Sequence, residues 1–395
     1  MKILVQKFGG TSLGSIVHIR LAAKKITAAR KEGYSVIVVV SAMGNETDEL
    51  LALAKAVNPD LSAREYDMLL STGEQKSMAL LAMAIQAEAC FSLSLCGWQA
   101  GIMSNQQHSH AKIIDIQTKK ITTELMAGKV VVVAGFQAVT DQGEITTLGR
   151  GGSDLSAVAL AAAFNAVECQ IFTDVNGVHT ADPRLIHNTS KLDHVSYAEM
   201  ITLASLGAKV LHGRAVKLAE KLNVSLRVLS SIKPGSGTLI DASQAIDSGL
   251  IGMALQQHLI IVTLNAVETR GVLIKKMRDC GVDVSLESDV GTSCHFVVPR
   301  EQVYLVEQVF SGTKYSFDLE KNVALLTIVG VGEEALKKAE HQAEKLFEKN
   351  NVSVLKTSID SMKCAFLLSD EEAKGFCGRL HDELTFRQEI SESTV

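Results

Sequence analysis

Ile3-Leu4-Val5-Gln6-Lys7-Phe8-Gly9-Gly10-Thr11-Ser12 decides the fold. Apolar and polar residues alternate from Ile3 to Phe8 as in a strand, two glycines break it, and a helical stretch follows from Ile16 to Lys31. A second strand, Val36 to Val40, completes a β–turn–α–β unit. The same alternation runs on through helices at 48–57 and 66–89, the all-β-branched strand Val130 to Val133, helix 155–164 and strand 169–172. Helices 197–206 and 210–222 and strands near Leu226 and Leu239 close the series. This predicts an α/β domain with a mostly parallel sheet between helices.

The turn-rich Ser230-Ser231-Ile232-Lys233-Pro234-Gly235-Ser236-Gly237 marks a boundary in a chain with only 4 Pro. Beyond it the pattern becomes strand–helix–strand–strand–helix, twice. We expect a domain over 1–240 and two α+β (βαββα) modules over 250–315 and 316–395, with helices on one face of each antiparallel sheet. Gly330-Val331-Gly332-Glu333-Glu334-Ala335 mimics a dinucleotide fingerprint, but too little chain follows it for a nucleotide-binding half.

At 395 residues the chain has room for several cores, and 47% hydrophobic content excludes disorder. A net charge of -5 argues against a nucleic-acid partner. No run approaches the roughly 20 apolar residues of a membrane span, so no membrane partner and a cytoplasmic location are expected. The 7 Cys and 11 His show neither paired nor metal-ligand spacing, so no protein-ligated metal is expected.

Two turns carry the chemistry. Gly9-Gly10 follows the first strand, where backbone N–H groups and a helix N-terminus receive an anion and Lys7 reaches the same charge. Thr147-Leu148-Gly149-Arg150-Gly151-Gly152-Ser153-Asp154 repeats that physics before another helix, with Ser153 or Asp154 expected as its N-cap. Arg150 adds a planar fork suited to a carboxylate. Two glycine-rich helix starts in one sheet suit two anionic groups held face to face, as in phosphoryl transfer from a nucleotide to a carboxylate. Ser71-Thr72-Gly73-Glu74 reads as a helix start, and the polar turn 173–184 suits a nucleotide pocket.

These motifs, in this order, resemble the aspartokinases of the amino-acid kinase family. The likeness spans K-F-G-G-T-S at Lys7–Ser12, Ser41-Ala42-Met43-Gly44 with Thr47-Asp48, and Ser71-Thr72-Gly73-Glu74-Gln75. It continues through Gly97-Trp98-Gln99-Ala100-Gly101, Ala134-Gly135-Phe136-Gln137, T-L-G-R-G-G-S-D, T-D-V-x-G-V-x-T-A-D-P-R and Leu206-Gly207-Ala208-Lys209-Val210-Leu211-His212. The C-terminal modules look like that family's paired ACT domains.

The resemblance implies transfer of the ATP γ-phosphoryl group, with Mg2+, to the β-carboxylate of L-aspartate, giving 4-phospho-L-aspartate. By that likeness Lys7 neutralises the transferring group and Asp154 orients Lys7. Arg150 clamps the α-carboxylate and Glu74 the α-ammonium, with Ser41, Thr47, Gly151, Gly152 and Ser153 shaping the pocket. Gly9, Gly10, Thr173, Asp174, His179, Asp182, Arg184 and Lys209 meet the nucleotide. The family usually has Tyr at His179, Pro at Gly213 and Arg at Leu229. Ser358-Ile359-Asp360-Ser361 departs from its S-T-S-E string, whereas Val282-Asp283-Val284 and Ser288-Asp289-Val290 stay closer to a lysine-binding module. Asp283 and Ser288 are therefore the expected contacts of a lysine or threonine effector, and a homodimer through the ACT-like modules is implied. A non-catalytic amino-acid sensor on the same fold remains open. So does a kinase for another amino-acid carboxylate, since one methylene gives only about 1–3 kcal/mol of discrimination.

Overall fold

The computed structural model describes residues 1–60, 62–207, 210–242, 248–264, 270–290, 293–311 and 316–386. Strand Ile3–Phe8 lies inside an eight-stranded sheet. The spatial order is His194–Ser196, Thr238–Asp241, Leu226–Ser230, Cys169–Thr173, Ile3–Phe8, Ser35–Val40, Val130–Ala134 and Ser92–Leu95. All neighbours run parallel except Leu226–Ser230 with Thr238–Asp241. Side chains of the central strands are buried on both faces, so Ser35–Val40 and Val130–Ala134 read as near-continuous Val/Ile runs, and in Ile3–Phe8 even Gln6 and Lys7 are buried. One face packs with helix Ile16–Lys31 and Met78, Leu81 and Ile85 of helix Ala63–Ala87. The other packs with helices Gly152–Ala163, Tyr197–Ser205 and Gly213–Leu222.

Several short strands escaped the sequence reading. Ile113–Ile116, Ile102–Ser104, Gln137–Val139 and Ile145–Thr147 form a separate four-stranded sheet in that order. Segments of three or four residues span too few alternations to register as a period.

The C-terminal region holds one six-stranded sheet, ordered Ser285–Val290, Ser293–Pro299, Gly249–Leu264, Phe317–Val331, Lys363–Ser369 and Lys356–Ile359. The two long central strands pair antiparallel along most of their length. A register shift between Gln256 and Leu259, where His258 takes φ 58°, divides the first of them. Leu250 and Met253, before it, join a core with Leu336, Phe347, Phe366 and Phe376. Ile260, Val262 and Leu264, after it, join a core with Met277, Phe296 and Phe310. One strand thus serves two cores, where the sequence suggests two successive units. Two expected strands shift by a few residues: 282–286 becomes Ser285–Val290, and 352–355 becomes Lys356–Ile359. In both, an apolar stub (Val282; Val352 and Val354) packs into a core ahead of the first ladder hydrogen bond.

Candidate active site

Lys7 is the penultimate residue of its strand, and its Nζ lies 2.6 Å from Asp154 Oδ1, with both side chains about 11% exposed. The glycines beyond it allow close approach. The Gly9 N–H and the Ser12 hydroxyl both donate to the Phe172 carbonyl, at 3.3 and 3.1 Å. A Cβ on Gly10 would stand 3.0 Å from the carbonyl oxygens of Ala42 and Gly44.

The second turn reaches the same pair. Gly149 and Gly151 adopt φ 73° and 71°, left-handed conformations that glycine takes without strain. Gly151, not Ser153 or Asp154, is the N-cap of helix Gly152–Ala163, and no side chain caps it. Asp154 sits in the first turn and points to Lys7 instead. Ser153 and Gly152 are buried, whereas the Arg150 side chain is exposed and has no partner among the described residues.

Ser71-Thr72-Gly73-Glu74 is not a helix start. It lies in the middle of helix Ala63–Ala87, and the Ser71 and Thr72 hydroxyls donate one turn back, to the carbonyls of Met68 and Leu69. A Cβ on Gly73 would stand 2.8 Å from Ala42 Cβ, so its absence lets the helix approach the loop after strand Ser35–Val40. There Glu74 Oε1 accepts from the Ala42 N–H at 3.0 Å, and Ser77 donates to the Ser41 carbonyl at 2.7 Å. Glu74 is 3% exposed, and burial pushes its carboxyl up to about 8. Its Oε2 is buried without a partner. Ser41 and Thr47 are half-buried, the latter in the first turn of helix Glu46–Val57.

Asp174, His179, Asp182 and Arg184 line a partly open pocket with Leu203 and Met253. The Thr173 hydroxyl donates to Asp174 Oδ1 at 2.9 Å. Arg184 forks onto Asp182, Nε to Oδ1 at 2.9 Å and Nη2 to Oδ2 at 2.7 Å. The His179 ring is held at both nitrogens, by Thr189 at 3.0 Å and Asn176 at 2.7 Å, and burial lowers its pKa. Lys209 lies outside the described residues. Asp283, exposed before strand Ser285–Val290, exchanges two hydrogen bonds with Gln302, at 2.7 and 2.9 Å. Ser288 falls within that strand, and its side chain lies outside the described residues.

Three residues without an assigned role also touch the second turn. A Cβ on Gly151 would fall 2.4 Å from Cγ of His212, so the imidazole packs directly on that glycine. Arg214 Nη1 donates to the carbonyls of Leu148 at 3.0 Å and Arg150 at 3.3 Å. Asp67, fully buried on the helix that bears Glu74, accepts from Thr147. Its signal was available in the sequence: Asp67, Leu70, Glu74, Ser77, Met78 and Leu81 share one helical face, and a carboxylate there needs donors.

A mostly parallel sheet ending in two glycine turns around a buried lysine–aspartate pair is the setting, and residues 2–230 match the family model described as "Amino acid kinase family", which makes the protein a kinase of that family. Similarity continues past that region. The chain is 40% identical to aspartokinase 2 of Bacillus subtilis over 97% of each chain, and 39% identical to the aspartokinase of Geobacillus stearothermophilus over 99% of each. The crystal structure of E. coli aspartokinase III in complex with aspartate and ADP superposes with a TM-score of 0.81 at 23% identity, covering 97% of this chain and all of that one. The chain belongs to the aspartokinases, a branch of the amino acid kinase family.

Proposed function

We propose that this aspartate kinase carries out transfer of the ATP γ-phosphoryl group to the β-carboxylate of L-aspartate in the space between Gly9-Gly10 and Gly149–Gly152. The Lys7–Asp154 pair carries this assignment. A carboxylate is already a nucleophile at neutral pH, so the protein supplies alignment and charge neutralisation, and no general base is needed. Lys7 meets the charge developing on the transferred group, and Asp154 holds the ammonium in place. Arg150, exposed and without a side-chain partner among the described residues, takes the α-carboxylate as a bidentate fork. The unpartnered Oε2 of Glu74 takes the α-ammonium.

Asp174, Asp182, Arg184, His179 and Lys209 form the nucleotide side, with the cavity beside the 173–184 turn receiving ATP. Among the described residues no group of three His, Cys, Asp or Glu side chains forms a metal cage. Magnesium brought with ATP would be held chiefly by phosphate and water, and Asp154 and Asp174 are the carboxylates that would complete its shell. When bound, the ion neutralises phosphate charge.

Regulation by lysine or threonine through Asp283 and Ser288 belongs to the same reading, as does a homodimer through the C-terminal sheet. The unpaired cysteines fit a reducing cytoplasm, and no helix among the described residues is long and apolar enough to cross a membrane. The test is hydroxylamine trapping with MgATP, comparing aspartate with glutamate. Aspartyl hydroxamate that fails to form with Lys7→Ala, and needs far more aspartate with Arg150→Ala, is the expected result. Unchanged turnover by Lys7→Ala would remove the assignment.

A further inference from the structure

Asp67 is fully buried, and its carboxylate draws donors from two separate segments. The Thr147 hydroxyl donates to Oδ1 at 2.6 Å. The Ser109 N–H reaches both oxygens, at 2.8 and 3.1 Å, and His108 Nδ1 lies 2.9 Å from Oδ2. Thr147 ends strand Ile145–Thr147, three residues before Arg150. The 108–110 segment, with Ser109 at φ 65°, presses on the same turn: a Cβ on Gly149 would stand 2.7 Å from His110 Nδ1 and 3.1 Å from the Ser109 carbonyl. Arg214 also grips that turn, through the carbonyls of Leu148 and Arg150.

We propose that Asp67 is a positioning residue for the amino-acid acceptor, acting through Arg150. This rests on Arg150 as the ligand of the acceptor's α-carboxylate. The Arg150 side chain is exposed and makes no bond to any described residue, so the backbone turn sets where its guanidinium starts. Asp67 fixes one wall of that turn by binding the strand end and the 108–110 segment together. Seven residues further along the same helix stands Glu74, to which the proposed function assigns the acceptor's ammonium. Two buried carboxylates two helical turns apart thereby tie both ends of the acceptor site to one rigid element.

A double-mutant cycle in the full chain tests this. Asp67→Asn keeps the shape but turns an amide toward the Ser109 N–H. Aspartate KM should rise about tenfold, with ATP KM within twofold of wild type and kcat lowered less than threefold. In an Arg150→Ala background the same change should add less than twofold. Equal rises in both KM values, or a full tenfold effect added to Arg150→Ala, would reduce Asp67 to a structural residue. A normal Arg150→Ala effect beside a silent Asp67→Asn removes this inference alone. An Arg150→Ala enzyme with unaltered aspartate KM instead removes the Arg150 reading on which it stands. Should Asp67→Asn fail to fold, Thr147→Val deletes a single hydrogen bond, with about a threefold rise expected and an unchanged aspartate KM overturning the proposal.

Discussion

The Thr180 hydroxyl lies 3.0 Å from Nε2 of His381, linking the turn that lines the 173–184 pocket to helix Asp370–Glu383. The Thr180 carbonyl also accepts from the Met253 N–H at 2.6 Å. Ala181 and Ile186 pack into the core of Leu336, Phe347 and Phe366. The turn that lines the cavity is therefore part of the C-terminal core, and a change in that core acts directly on it.

His381→Ala should raise ATP KM several-fold while aspartate KM stays within twofold, as measured by steady-state kinetics. Removing a buried hydrogen-bond partner also costs about 1–3 kcal/mol of stability. Burial lowers the His381 pKa. The stability given by its neutral ring is thus present above the ordinary histidine value and lost as pH falls through the folded value. A thermal melt series across mildly acidic pH should lose this slope in the variant.

Lys7→Ala should lower kcat by about 100-fold or more and leave aspartate KM much less affected. It also leaves Asp154 buried without its cation, a loss of about 3–5 kcal/mol. Asp154→Asn in the same background should recover part of that stability without recovering turnover, which separates the two effects.

Glu74, raised to about 8 by burial, is largely protonated at pH 7 in the free enzyme. Pairing with an ammonium favours its ionised form, so aspartate binding near neutral pH should release a proton. Titration calorimetry in two buffers of different ionisation enthalpy reads this directly, and Glu74→Gln should abolish it. The sign for stability follows from the same shift. The folded state holds the proton more tightly, so this contribution is full below about pH 4.5 and disappears as pH rises through about 8.

Gly151→Ala combines left-handed strain with a Cβ 2.4 Å from His212 Cγ. The turn must shift, so aspartate KM should rise at least tenfold, with ATP binding nearly unchanged. His212→Gly in addition should recover part of the loss, because it removes the clash and leaves only the backbone strain.

Much of the proposed site is legible in the chain because the chemistry assigned to it is local. Lys7 with Gly9-Gly10, and Arg150 with its flanking glycines, are contiguous, and their residue types announce an anion at a strand–helix turn. Glu74 was named from its motif, but its setting was misread. Ser-Thr-Gly-Glu has the composition of a helix start, and only the close approach of Gly73 to Ala42 explains why it sits mid-helix. The nucleotide turn was legible as a polar loop, yet the mutual pairing of Asp182 and Arg184 and the two-sided hold on His179 were not.

Hydrophobic period and glycine placement thus determined by sequence alone the mostly parallel α/β sheet, the βαββα pattern after it and the two glycine-rich turns, because each depends on residues a few positions apart. Tertiary structure decided the rest. It joined Asp67 to Thr147 across 80 positions, gave one long strand to two cores, and bonded Thr180 to His381, 201 positions away. Contacts between residues so distant depend on how whole elements pack, and no local period encodes that packing.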